Sequence, residues 1–568
     1  MTRSKNKQSA NEAQSSRSSH TLLLSIVANV ATWAAFPPLG LFLLAWFAPA
    51  AWARLIQEDK LPGRRPYWVI WAVSALSWGI LLQGVGRAYW ANYFGLVLLG
   101  SYLAVYQVLF VGLARVAVHH WKLSVIIAAP TVWVGLELIR GHLITGFSMA
   151  LLGHTQVRMT SIIQIADLFG AYGVSFLVVF VGACLARSMP QGDRRWSVWP
   201  TLTAAGVLAS VLAYGSMRIG GGDEYANAPS LKVALIQGTE DTVFDMDREA
   251  AQQRAINTFN QYWRLTLDVC AKHADLDVII WPEGAFSGDL PQLIVRGSNV
   301  PPADLEIEPA RFEEIVRQRQ GYFNDKTRTV AGAVNRRDDE GLAGQHQTYM
   351  LVGCDTVQLS EGTQDTYNAA LLIDPQGEVI ARYDKMHRVL LGEYVPFGDH
   401  FPWLYDLVPI GRGLTPGTEP ASFNVAGVKI APSICFEDTV PHLIRRQVRT
   451  LTQRGERLDL LVNLTNDGWF WGTGILDLQL NCAVFRAIEM RRPLLVAANT
   501  GLTASIDSNG TIRDTLPRRR EGVVVSEVVI LQRTSPYEQF GDWFAGLCLL
   551  CCLPLLLTGC RGRWKRAE

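Results

Sequence analysis

The sequence has almost no surplus of charge. Its 52 Lys and Arg balance 51 Asp and Glu to a formal net charge of +1, which excludes a partner held by bulk electrostatics, nucleic acid above all. It also has little sign of cysteine pairing: of its 9 cysteines, the four in the soluble part show no CxxC spacing. Cys184, Cys548, Cys551 and Cys552 lie in apolar runs, Cys560 closes one, and Cys270, Cys354, Cys435 and Cys482 show no evident partners. No disulfide framework is indicated. No His/Cys/Asp cluster carries metal-ligand spacing among the 10 histidines and their neighbours, so neither a metal nor another cofactor is expected.

Apolar residues are abundant and unevenly placed. Residues 21–217 are almost continuously hydrophobic, 223–535 read as an ordinary soluble domain, and 543–559 turn apolar again. A helix crosses the hydrocarbon core with about 20 mostly apolar residues. Seven candidate spans precede the soluble part, near 21–35, 38–53, 67–86, 93–114, 123–139, 166–186 and 198–217, and an eighth is 542–559. The expected organisation is a leader at 1–20, a seven-span membrane domain at 21–219, a soluble domain at 220–535, and a last span with a basic tail at 536–568. The first run, behind its basic leader, has the look of a signal peptide, but the train of spans after it favours an anchor.

Basic residues collect on alternate loops. Arg3, Lys5, Lys7 and Arg17 precede the first span; Arg54, Lys60, Arg64 and Arg65 lie between the second and third. Arg187, Arg194 and Arg195 lie between the sixth and seventh, and Arg561, Arg563, Lys565 and Arg566 follow the last. The positive-inside rule then puts both termini in the cytoplasm and the soluble domain outside. In a bacterium that is the outer face of the cytoplasmic membrane.

A glycine-rich link at 220–230 leads into alternating strand and helix signals. Strands are expected at 231–238, 276–283, "YMLVGCDTVQ", the two arms of "NAALLIDPQGEVIARYD", "VKIAPSIC", "LDLLVNLTND" and "PLLVAANTG". Polar helices are expected at 439–454 and 476–492, and the polar stretch 299–346 reads as an insertion or mobile loop. This mixture predicts a layered α/β sandwich.

Three reactive residues sit at or just past expected strand ends: Glu283, Lys385 and Cys435. In "VKIAPSICFEDTV", Cys435 is followed by Glu437 and Asp438, whose charges oppose thiolate formation. Glu283 could remove the thiol proton as attack proceeds, and Lys385 could offset the negative charge and, with a backbone N–H, hold an oxyanion. The reaction class would be acyl transfer through a thioester. Each residue also has a plain reading: a packed cysteine, acidic residues at a helix start, a surface ion pair. Their joint occurrence carries the functional reading.

The three segments resemble the Glu-Lys-Cys triad of the nitrilase superfamily, whose fold is an αββα sandwich. The order of "AFPPLGLFLLAW", "VWVGLELIRGHLITGFSMALLG", "IADLFGAYGVSFLV", "IIWPE", "RYDKMHRVLLGEYVPFGD", "ICFED", "NLTNDGWF" and "RAIEMRRPLLVAANTG" is similar to one membrane branch, the apolipoprotein N-acyltransferases. The resemblance implies a multi-pass helical bundle joined to a nitrilase-like αββα domain. It also implies a ping-pong enzyme that moves an acyl chain from a bilayer phospholipid, through Cys435, to the amine of a diacylglyceryl apolipoprotein. Glu283 would be the base, Lys385 the oxyanion group, Glu393 a second glutamate holding Lys385, and Glu437 the acid that follows the nucleophile. Phe436 stands where tyrosine is frequent in the family. Asn368 and Tyr394 match positions near the site, and Trp469 and Phe470 in "DGWFWG" could form a lipid-facing lid. Glu137 and Arg140 could pair within the bundle or touch a phospholipid headgroup. A membrane-tethered amidase and a scaffold with a vestigial triad are the competing readings.

Overall fold

The computed structural model describes residues 20–87, 89–191, 195–220, 228–243, 246–288, 290–297, 301, 307–335, 347–360, 363–398, 400–407 and 413–564. The basic leader, Arg194 and Lys565 to Arg566 fall outside these residues. The chain forms two compact units. One comprises residues up to Gly220 with 473–489 and from Ser535 on; the other comprises 221–472 and 490–534.

The first unit is helical and built from apolar runs. Among the described residues, four of its helices are long and apolar enough to cross a membrane: Asn92–His120, Ala171–Ser188, Trp199–Ile219 and Trp543–Cys560. His20–Ala35, Pro66–Leu81 and Thr160–Phe169 are apolar but shorter. The expected span at 38–53 is interrupted: a 3-10 turn, Phe42–Trp46, precedes a separate helix, Ala48–Gln57. The expected span at 166–186 is broken at Gly170, whose φ of +68° no continuous α-helix accommodates. The helix Ile475–Met490, expected to be a polar helix of the soluble part, belongs almost entirely to this unit and is largely buried.

The second unit is a two-sheet sandwich. Its strands are β1 (Ser230–Gln237), β2 (Val278–Trp281), β3 (Gln292–Arg296), β4 (Tyr349–Ser360), β5 (Thr363–Ile373), β6 (Val379–Asp384), β7 (Phe423–Val425), β8 (Val428–Ile434), β9 (Leu460–Thr465), β10 (Leu494–Ala498), β11 (Thr503–Ile506), β12 (Ile512–Leu516) and β13 (Gly522–Val529). One sheet runs β13-β1-β2-β4-β5-β6, with β3 also on β4; the other runs β12-β11-β10-β9-β8-β7. The central strands β1, β2 and β4 pair in parallel, as do β8, β9 and β10. Such strands are covered on both faces, and their sequences accordingly read as continuous apolar runs.

Leu235, Ile280, Leu351 and Leu372 of the first sheet pack against Ile430, Leu464 and Leu495 of the second to form the inner core. On the outer face of the first sheet, Ile236, Trp281 and Val352 meet Tyr262 and Leu265 from the helix Arg248–Cys270 and Phe323 and Val330 from the helix Pro309–Val334. The helix Pro441–Gln453 packs on the second sheet, with Gln447 Nε2 donating to Pro432 O at 2.6 Å. The helix Pro309–Val334 corrects the expectation of an insertion or mobile loop there. Its buried side chains Phe312, Val316, Phe323, Thr327, Val330 and Val334 follow a 3-to-4 residue spacing diluted by the charged residues between them.

Candidate active site

Glu283 follows β2, Lys385 follows β6, and Cys435 follows β8, so the first sheet carries the carboxylate and the ammonium while the second carries the sulfur. Lys385 Nζ lies 3.3 Å from Glu283 Oε1 and 2.5 Å from Glu393 Oε1, with the lysine side chain only 2% exposed. That burial removes the reading of a surface pair. Burial alone would favour the neutral amine, but Glu283 and Glu393 hold Lys385 well above the ordinary lysine value.

Glu283 is fixed from three directions. Its Oε1 accepts from Asn368 Nδ2 at 2.6 Å and from Lys385, and its Oε2 accepts from the amide of Asn466 at 2.7 Å. The backbone behind it sits against Gly353 on β4, where a Cβ would lie 2.4 Å from Pro282 O and 2.5 Å from Glu283 Cα. Only glycine lets β4 approach Glu283 so closely.

Cys435 occupies the left-handed region, φ +55°, at the turn from β8 into a 3-10 segment. A non-glycine residue there is uncommon, and the turn lifts the side chain off the strand. Burial, then Glu283, push the thiol well above its usual value; Lys385 opposes this, and Glu393 and Asp467 add to it. The resting group is therefore a thiol, not a thiolate.

Glu437 does not face the reacting groups as a lone acid. Its Oε1 accepts from the amides of Met386 and His387 at 2.7 and 2.9 Å, and its Oε2 from the amide of Ile434 and the hydroxyl of Tyr383, both at 2.8 Å. The carboxylate thereby ties the loop carrying Lys385 to the turn carrying Cys435. Glu393 plays a local version of this role, with Oε2 accepting from Val389 N at 2.8 Å. Phe436 stacks on His387, ring centres 6.0 Å apart, and burial followed by the Lys385 charge lowers the imidazole value, keeping it neutral.

A cavity of about 530 Å³ opens beside these groups, within the range that takes small-molecule ligands. Glu283, Glu393, Asn368, Asp355, Asn466 and Trp469 line it; Cys435 is not among its lining residues. Phe470 and Tyr394 do not line it either, and Tyr394 instead holds its ring 4.4 Å from the Arg388 guanidinium carbon. The aromatics of "DGWFWG" are less exposed than the sequence suggests: Trp469 and Phe470 are half-buried and only Trp471 is exposed. Glu137 and Arg140 lie in the other unit, both buried, with Glu137 Oε1 accepting from Leu152 N at 2.9 Å and Arg140 stacked 5.2 Å from the Trp78 ring.

Two carboxyls escaped the sequence reading, Asp467 buried and Asp355 half-buried. Asp467 accepts from Thr465 Oγ1 at 2.8 Å, and burial, with Glu283 adding to it, pushes its value up to about 7. Asp355 accepts from Ser287 Oγ at 3.1 Å, and burial, with Glu283 and Glu393 adding to it, pushes it up to about 6. A charge in the middle of an otherwise apolar strand, as in "VGCDTVQ", is the signal that could have found Asp355. Among the described residues no group of three or more His, Cys, Asp and Glu is arranged to hold a metal ion.

Residues 28–184 match the family described as apolipoprotein N-acyltransferase N-terminal domain, and residues 232–535 match carbon-nitrogen hydrolase. The chain is similar to the apolipoprotein N-acyltransferase of Rhodopirellula baltica, 31% identical over 550 residues that cover 91% of this chain and 93% of that protein. It is 33% identical to the apolipoprotein N-acyltransferase of Geobacter metallireducens over 537 residues, 93% of each chain.

Proposed function

The chain belongs to the apolipoprotein N-acyltransferase family, on a carbon-nitrogen hydrolase domain, and from that premise we propose that it moves an acyl chain from a membrane phospholipid to the N-terminal amine of a diacylglyceryl apolipoprotein through a Cys435 thioester. The observation that carries this reading is the convergence of Glu283 and Glu393, which line a cavity, on the buried Lys385, with the charges of all three acting on Cys435.

The geometry suits an attack that never accumulates a free thiolate. Cys435 holds its proton at rest because it is buried among carboxylates. As sulfur adds to the ester carbonyl of the phospholipid, Glu283 accepts the thiol proton and Lys385 neutralises the oxygen that becomes negative. Collapse breaks the C–O bond, and Glu283 returns the proton to the lysophospholipid oxygen. The acceptor amine then adds to the thioester, the C–S bond breaks, and a proton from the amine passes through Glu283 to the sulfur. Glu393 keeps Lys385 in place throughout, and Glu437 keeps the two loops in register.

In this reading the first unit is a multi-pass bundle in a bacterial cytoplasmic membrane. The shorter apolar helices join the four long ones in an arrangement of about eight passes, with local thinning of the bilayer. Residues 220–535 supply the catalytic domain on the outer face, and the clusters at Lys60 to Arg65 and after the last span stay in the cytoplasm.

The test is mass spectrometry of the full-length protein after incubation with phospholipid, then with a diacylglyceryl-cysteine peptide. A fatty-acyl adduct on the peptide containing Cys435, discharged by the acceptor, is expected. No adduct, or one on another residue, overturns the proposal.

A further inference from the structure

The proposed reaction has a proton too many for Glu283. A chain N-terminal amine, with an ordinary value of about 7.7–8.0, arrives largely as the ammonium at neutral pH and cannot attack until it has lost a proton. It loses a second when the C–N bond has formed. Glu283 can carry that second proton to the departing sulfur, but the first needs another acceptor.

The cavity wall offers one. Asp355 on β4 is partly exposed and lines the cavity together with Glu283, Glu393 and Asn368. It lies directly opposite Asn368 in the β4–β5 register, so both side chains rise from the same face of the sheet. Asn368 gives its Nδ2 to Glu283 and is only 7% exposed, yet its Oδ1 has no hydrogen-bond donor among the described residues. A buried acceptor without a donor is costly, and it sits beside a carboxylate whose one side-chain donor among the described residues is Ser287. An ammonium brings three donors to such a wall.

The charges facing Asp355 reinforce this. Glu283 and Glu393 approach from the loops after β2 and β6, with Lys385 bridging them. Lys326, from the helix Pro309–Val334, spends its donors on the carbonyls of Phe286 and Ser287 at 2.6 and 3.0 Å. Farther along the cavity, Arg254 is paired with Glu240 at 2.9 Å.

We propose that Asp355, with Asn368 Oδ1 beside it, is the receptor for the acceptor's ammonium group and takes its first proton, releasing the neutral amine that attacks the thioester. This rests on the function proposed above. The ammonium N–H bond breaks toward the Asp355 carboxylate; the amine forms the C–N bond; Glu283 passes the second proton to the Cys435 sulfur as the C–S bond breaks. Asp355 then sheds its proton to water. Its value of about 6, below that of the amine, fits a group that is ionised when the ammonium arrives and that releases the proton afterwards.

The experiment separates the two half-reactions. Acyl-enzyme is formed from phospholipid and quantified by mass spectrometry, then discharged in a single turnover by a diacylglyceryl-cysteine peptide or by hydroxylamine, which is uncharged at neutral pH. Asp355→Asn should slow discharge by the peptide at least about tenfold more than it slows acylation or discharge by hydroxylamine. The deficit should shrink as pH rises past about 8, where the amine arrives neutral, and Asp355→Glu should recover part of the loss. Equal slowing of all three reactions, or a deficit that persists at high pH, overturns the assignment.

The wild-type protein gives an independent reading if the variant does not fold. Discharge by the peptide should stay flat from about 8 down to about 6. A tenfold fall per pH unit below about 8 would mean that only amine already neutral in solution reacts, and would exclude Asp355. A wild-type protein that forms no acyl-enzyme at all would instead overturn the proposed function.

Discussion

Tyr383 donates its hydroxyl to Glu437 across the sandwich, a 2.8 Å bond between the last strand of one sheet and the turn that follows the nucleophile strand of the other. Both groups are buried, and burial, then the Glu437 charge, hold the phenol well above its usual value. Tyr383→Phe removes one of four donors from a buried carboxylate. Stability should fall by about 1–3 kcal/mol, read as a lowered melting temperature, with acylation slowed through misplacement of Lys385 relative to Cys435.

Cysteines that look alike in sequence differ here in surroundings. Cys435 is coupled to Glu283 and Lys385, whereas Cys482 is fully buried in the helical unit, 3.7 Å from His154 Nδ1. Cys435→Ala should abolish the acyl adduct. Cys482→Ala should leave adduct formation within about twofold, because a small core truncation costs on the order of 1 kcal/mol without touching the site. Comparable loss in both variants would contradict the assignment of the nucleophile.

Glu283→Gln keeps the shape of the base and removes its capacity to take a proton. Single-turnover acylation should fall by about 10²–10⁴-fold, while phospholipid binding, measured separately, changes far less. Unchanged acylation would remove Glu283 from the base role.

Asp467 provides a pH-dependent signature. Its folded-state value of about 7 lies above that of the unfolded chain, so the native protein binds this proton more tightly, and stability declines as pH rises from the ordinary carboxylate range through about 7. Once ionised, Asp467 also opposes the Cys435 thiolate. Asp467→Asn should therefore stabilise the protein above about 7. It should also raise the rate of Cys435 alkylation there by up to about tenfold, one pKa unit, with no gain in acid. Alkylation rates across that pH range check the sign.

Gly353→Ala tests the close approach of β4 to the base. The new Cβ would stand 2.5 Å from Glu283 Cα, so the strand end must shift. A displacement of about 1 Å in a catalytic group costs on the order of 10²-fold in rate. Acylation should fall by that order while acyl-chain length preference stays the same.

The sandwich strands β1, β2, β4, β8, β9 and β10 were legible because burial on both faces writes itself as runs of Val, Ile and Leu, and β5 and β6 because a Pro-Gln-Gly turn joins them as a hairpin. The short strands β3, β7 and β12 were not, since exposed residues such as Arg296, Asn424 and Asp514 interrupt them, nor was β11, four residues long and half polar although buried. The helix Pro309–Val334 hid its stripe behind charge. Glu283, Lys385 and Cys435 were readable as candidates because each sits just past a strand end. Asp355, Asp467 and the clamp formed by Tyr383 and Glu437 acquire meaning only from what the other sheet, or the neighbouring strand, places beside them.

Since the carboxylate and ammonium are presented by one sheet and the sulfur by its opposite number, neither half can do chemistry alone. On the roles proposed for them, a chain still emerging from the ribosome, with β1–β6 laid down and β8 unmade, holds a base with nothing to deprotonate. Catalytic competence thus arrives last, together with the closing of the sandwich, and a misassembled copy stays inert toward the lipids around it.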